Sequence, residues 1–101
     1  MSGYRLSEGA ALDLDAIWEY IAQDNIPAAD RWIARLFEAF DTLAKTPTIG
    51  HKRDDLTSLP VLFWPVGAYL IIYRNQQQVL EIVAVTQGSR DIPTLLTRRP
   101  L

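Results

Sequence analysis

Ala68-Tyr69-Leu70-Ile71-Ile72-Tyr73-Arg74 and Val79-Leu80-Glu81-Ile82-Val83-Ala84-Val85 are two apolar runs separated by a short polar stretch. Their length and their β-branched and aromatic content predict two strands, and Asn75-Gln76-Gln77 between them predicts a hairpin turn. Side chains alternate along a strand. Leu70, Ile72 and Arg74 therefore share one face, and Tyr69, Ile71 and Tyr73 share the other. On the second strand, Leu80, Ile82 and Ala84 oppose Val79, Glu81, Val83 and Val85. A sheet open to water on one side alternates more cleanly between apolar and polar. Here both faces are largely apolar, so both need a cover.

Working outward, Leu59 to Trp64 is a further strand, interrupted by Pro60 and closed by Pro65, which suits an edge or bulged strand. Val66-Gly67 is a turn. Upstream, Ser7 is a helix cap with Glu8 in the first turn. Leu14, Ile17, Trp18 and Ile21 follow at helical spacing, predicting a helix from about residue 8 to about residue 24. Asp24-Asn25-Ile26-Pro27 breaks the chain and restarts it. Ala29, Ile33, Leu36, Phe40 and Leu43 then form an apolar seam in a helix ending near Lys45, before Thr46-Pro47. Trp32 and Phe37 widen that seam, and Trp18 and Trp32, both on the helical hairpin, are read as core aromatic residues. Two long helices joined this closely form an antiparallel hairpin. Tyr4-Arg5-Leu6 is a short edge strand, residues 46–58 a connecting loop, and Ile92 to Leu96 a short amphipathic helix or turn. Thr97 to Leu101 are expected to be mobile.

The predicted fold is α+β: an N-terminal antiparallel helical hairpin packed on a small antiparallel sheet, in the order β-α-α-β-β-β with a short C-terminal helix or turn. The whole chain, 1–101, is one domain. The hairpin covers one sheet face. The other is covered by the C-terminal segment, by a second copy or by another protein; a face left open predicts a partner.

Composition narrows the function. Hydrophobic residues make up 49% of the 101 and charged residues 22%, values of an ordinary folded domain. The absence of cysteine excludes a disulfide scaffold and a thiolate metal site, and fits a reducing compartment. No apolar run is long enough for a membrane span, and the N-terminus carries no apolar signal core, so the expected location is the cytoplasm. Net charge is −2, divided between −4 over residues 1–45 and +2 over residues 46–101. With a pI near 5.2, nonspecific nucleic-acid binding is not expected. No cofactor and no metal are predicted.

The succession of short patterns resembles the ParE branch of the RelE/ParE toxins of bacterial type II toxin–antitoxin modules. It starts with Tyr4-Arg5-Leu6-Ser7, Ala11, Asp13-Leu14, Ile17-Trp18 and Tyr20-Ile21. It continues through Ala28-Ala29, Leu43-Ala44, Pro47, Gly50 and Arg53-Asp54-Asp55-Leu56. It closes with Tyr69 to Arg74, Glu81-Ile82, Val85 and Gly88-Ser89-Arg90-Asp91-Ile92. The resemblance implies the family's compact sheet with a helical hairpin. It also implies a ParD-like antitoxin whose C-terminal segment wraps the toxin, and DNA gyrase as target. RelE-type relatives instead cut mRNA on the ribosome. Gln87 stands where relatives often carry histidine, and Ser89 where a basic residue is common.

No catalytic residue is assigned, and an inhibitory binding protein is favoured over an enzyme. The alternatives are a ribosome-dependent endoribonuclease using Arg53, Arg74 and Arg90, and a non-toxic binding member of the family. Candidate contacts to antitoxin or target are Arg53, Phe63, Trp64, Tyr69, Tyr73, Arg74, Arg90, Asp91, Arg98 and Arg99. His51, the single histidine, is read as an exposed loop residue.

Overall fold

A computed structural model describes residues 3–88 and 90–101; Ser89, one of the two departures in the closing signature, lies outside them. The chain runs β1 (Tyr4–Leu6), α1 (Glu8–Ala22), α2 (Ile26–Lys45), β2 (Leu62–Val66), β3 (Tyr69–Gln76), β4 (Val79–Gln87) and α3 (Ile92–Thr97), with one 3-10 turn at Pro47–Ile49. The sheet order is β1-β4-β3-β2. β2, β3 and β4 form the expected antiparallel meander. β1 joins it in parallel beside β4, which makes the sheet mixed.

Local chemistry sets the helix limits. Ser7 Oγ accepts from the Ala10 amide at 3.0 Å, and Asn25 Oδ1 accepts from the Ala28 amide at 2.9 Å, so each helix opens on a side-chain cap. Pro27 lies in the first turn of α2, where its missing N–H leaves no intrahelical bond unmade. Ala10, Leu14 and Ile17 of α1 and Ala29, Leu36, Phe40 and Leu43 of α2 are buried. With Tyr69, Ile71, Tyr73, Leu80, Ile82 and Val85 they form the larger core.

The opposite sheet face is covered by the chain itself. Val61, Phe63, Leu70, Ile72, Val83 and Ala84 pack with Ile92 and Leu96 of α3, flanked by Leu56 and Leu95. Of the three covers considered from sequence, the structure uses the C-terminal segment together with the loop before β2. The case for a partner drawn from an open face is therefore corrected, since Ile72 and Ala84 are fully buried without one. The face assignment along β4 also changes at one point. The register passes from Ile72↔Ala84 to Tyr73↔Ile82, so Val83 is the extra residue of a bulge. Beyond it the alternation reverses: Val85 joins Leu80 and Ile82 in the larger core, and Ala84 joins Val83 in the smaller.

The bulge and the β4 edge beyond β1 are sealed by side chains. Val83 O accepts from Ser7 Oγ at 3.0 Å and from Arg99 Nη1 at 3.1 Å. The Val85 amide donates to Asp13 Oδ2 at 2.9 Å. Arg99 also grips both Asp13 oxygens, at 2.8 and 3.0 Å. The expected mobile tail is thus corrected at Arg99, whose side chain is only 14% exposed. The guanidinium lies over the first turn of α1 at Gly9, where any Cβ would collide with it.

Arg99→Ala should lower unfolding free energy by about 2 kcal/mol, because a largely buried bidentate pair is broken and Asp13 keeps an uncompensated charge. Arg99→Lys should recover less than half of that, because an ammonium lacks the planar fork; urea denaturation of the three proteins checks both. Gln77 and Gln78 form the two-residue turn of the β3–β4 hairpin with φ of 51° and 67°. Replacing them with Asn-Gly should raise stability by about 1 kcal/mol in the same assay, since positive φ at both positions suits that pair.

Candidate functional site

The sequence-derived contact residues divide by burial. Phe63 is 1% exposed and Tyr73 fully buried, so both are core side chains that present no surface. The Tyr73 hydroxyl donates to Pro47 O at 2.7 Å and accepts from the Gly50 amide at 2.9 Å. Burial pushes this phenol above its ordinary pKa. These bonds pin the chain after α2 to the middle of the sheet. Tyr69 is buried edge-on against Trp32, with ring centroids 5.2 Å apart. Its phenol is pushed up by burial and then by the neighbouring Tyr20.

Four more candidates are engaged locally. Arg53 pairs with Asp55 at 2.8 and 2.9 Å on the surface, a hydrogen-bonded pair that raises the guanidinium pKa and lowers the carboxyl. Asp91 caps α3, accepting from the Thr94 amide at 3.3 Å and its hydroxyl at 2.8 Å. Arg74 Nε donates to Glu81 at 2.7 Å, and Arg5 reaches the other oxygen of Glu81 at 3.3 Å. Arg99 belongs to the clasp on Asp13. Trp64 is half-buried and stacks on the exposed His51 ring at 6.0 Å and 18°. Arg90 and Arg98 are exposed.

Arg53, Arg74 and Arg90 are not assembled into one site. Arg74 lies opposite Glu81, near the start of β4, whereas Arg90 follows its end at Gln87. Antiparallel neighbours place the end of one strand beside the start of the next. Six residues at about 3.3 Å each put about 20 Å of sheet between the two arginines. Arg74 is, in addition, neutralised by Glu81. The convergence expected from sequence fails on this topology.

Two depressions on the surface escaped the sequence reading. One, of about 320 Å³, is lined by Leu6 of β1, by Ala11, Leu14, Asp15 and Trp18 of α1, and by Ile33 and Phe37 of α2. Trp18, expected in the core, is 36% exposed, with its indole N–H donating to Asp30 at 2.8 Å. The signal was present in α1: Ala11, Leu12, Leu14, Ile17, Trp18, Tyr20 and Ile21 spread over more of the helix than one buried stripe needs. The other depression, of about 200 Å³, is bordered by Ile17, Tyr20, Tyr69, Gln87 and Arg90. Among the described residues there is no cluster of histidine and carboxylate groups able to hold a metal, and no helix is long and apolar enough to cross a membrane.

Comparison with known proteins supplies the context. Curated protein sequences give no match. The fold is similar to a solved structure described as a chromosomal ParDE TA system from P. aeruginosa, with a TM-score of 0.70 at 20% identity, over 86% of this chain and 96% of that one. At that identity the likeness concerns the fold. Residues 4–92, from the first strand to the start of α3, match the family described as ParE toxin of type II toxin-antitoxin system, parDE. The chain belongs to the ParE toxin family of type II toxin–antitoxin systems.

Proposed function

We propose that this chain is the toxin of its module, is neutralised by a ParD-like antitoxin in the cytoplasm, and acts by binding and inhibiting DNA gyrase. Family membership over residues 4–92 is the observation that carries the toxin reading. The geometry favours binding over catalysis. RNA cleavage needs a cation cluster and a proton-transfer group around one phosphate. Here Arg53 and Arg74 are paired with carboxylates, Arg90 lies at the far end of the sheet from Arg74, and His51 stacks on Trp64. The exposed groove around Trp18 supplies apolar surface suited to an antitoxin.

The surface left for the target includes Arg90 and Arg98, exposed cations outside the ion pairs of the described residues. Arginine is enriched among residues that dominate interface energies.

Purified chain should inhibit gyrase supercoiling of a plasmid, and the Arg90→Ala, Arg98→Ala double variant should need about tenfold more protein for the same inhibition. Thermal unfolding of the variant should be unchanged, because neither side chain is buried. Absence of inhibition together with ribosome-dependent mRNA cutting would replace this reading with the endonuclease one. Harmless expression without antitoxin, with neither activity, would replace it with a non-toxic binding role.

A further inference from the structure

α1 carries an apolar row that the fold does not bury. Leu12, Ala16 and Tyr20 recur at every fourth residue and form one ridge along the helix. Leu12 is 62% exposed and Tyr20 67%, the two highest values among the large apolar side chains described. Single exposed apolar residues are common, but two in line, joined by an exposed alanine, make a continuous strip. The strip is distinct from the groove around Trp18. Ala11, Leu14 and Trp18 lie on another side of α1, and the exposed carboxylates Asp15 and Glu19 run between the two surfaces.

The other flank of the ridge is cationic. Leu12 and Arg98 border one depression of about 320 Å³, and Ala16, Tyr20 and Arg90 border another of about 200 Å³. Both depressions reach Asp13, which marks that side of the helix. Asp13 is already engaged by Arg99 and by the Val85 amide. Among the described residues, Arg90 and Arg98 enter no ion pair, and neither do Asp15 and Glu19. Leu12 and Tyr20 are eight residues apart, about 12 Å along the helix axis. An apolar ridge of that length therefore has an arginine near each end of one flank and carboxylates along the other.

We propose that the Leu12-Ala16-Tyr20 ridge grips the target protein, and that the target presents to it a helix with an apolar stripe and carboxylates about two turns apart, facing Arg98 and Arg90. The proposal rests on the gyrase reading and specifies the surface that makes that contact. A helix suits the ridge because the backbone of α1 is bonded within itself and offers no strand edge, whereas the side-chain rows of two helices interlock. Tyrosine and arginine are enriched among residues that dominate interface energies. Tyr20, Arg90 and Arg98 therefore carry the affinity, and Leu12 and Ala16 keep water out. Opposite charge on the two flanks fixes the direction in which the bound helix lies, since reversing its flanks would set its carboxylates against Asp15 and Glu19.

The test measures binding of the full chain to purified gyrase and, separately, to a cognate ParD-type antitoxin. The Leu12→Gln, Tyr20→Gln variant should bind gyrase at least about tenfold more weakly. Its thermal unfolding and its antitoxin affinity should match the parent, because both side chains are exposed and lie outside the Trp18 groove. Leu12→Met with Tyr20→Phe keeps the ridge apolar and should bind gyrase as the parent does. Arg90→Glu with Arg98→Glu should lose more gyrase affinity than the alanine pair, since a repelling carboxylate is worse than a missing cation. Parent-like gyrase binding by the glutamine variant would overturn the ridge and leave the gyrase reading standing. Lost antitoxin binding with gyrase binding intact would assign the ridge to the antitoxin and overturn the proposal. Self-association of the parent chain that the glutamine variant abolishes, with gyrase binding unchanged, would make a second copy the occupant and overturn it too. A parent chain that does not bind gyrase would remove the gyrase reading and the proposal together.

Discussion

A β-hairpin that is apolar on both faces must be covered on both. β3 and β4 carry buried residues on each side of the sheet, and burial of one such aliphatic side chain contributes about 1.5–3 kcal/mol. Exposing either face would cost more than the net stability of an ordinary domain. The helical hairpin supplies one cover and α3 with the loop before β2 supplies the other. This arrangement explains why a six-residue helix near the C-terminus is capped, by Asp91, and then fastened, by Arg99. A helix that short has little stability of its own and forms where its apolar face is docked.

Polar chemistry enters where the regular ladder fails. The bulge at Val83 and the early end of β1 leave backbone groups of β4 without strand partners, and Ser7, Asp13 and Arg99 satisfy them. One short stretch thereby ties together the start of α1, the middle of the sheet and the C-terminus. At the other side of the sheet, Tyr73 ties the turn after α2 to β3 through Pro47 and Gly50. These fastenings leave exposed the groove around Trp18, the edge of the terminal strand β1, and Arg90 and Arg98.

Much of the fold was legible because its signals are local. The cap at Ser7, the break and restart at Asp24-Asn25-Ile26-Pro27, the apolar seam of α2, and the two apolar runs with a polar stretch between them point to the element order and the helical hairpin. Non-local facts were not legible. The parallel placement of β1 depends on pairing across more than seventy residues. The bulge at Val83 inverts the face pattern with no glycine or proline to mark it. Arg99 reads as a tail charge until Asp13 is brought beside it by the docking of α1. The site is obscured for the same reason: Arg74 and Arg90 are close in strand order yet about 20 Å apart along the sheet, and the aromatic character of Phe63 and Tyr73 does not report their burial. Trp18 shows the reverse error, an aromatic residue assigned to the core that the structure leaves at the surface.

This chain closes both faces of its own sheet. Methyl NMR of the lone monomer tests it most directly. Closure by the chain itself predicts nuclear Overhauser contacts from the Ile92 and Leu96 methyls to the side chains of Ile72, Val83 and Ala84, independent of protein concentration. Absence of those contacts in a folded monomer, or their appearance only on self-association or on addition of a partner, would contradict it.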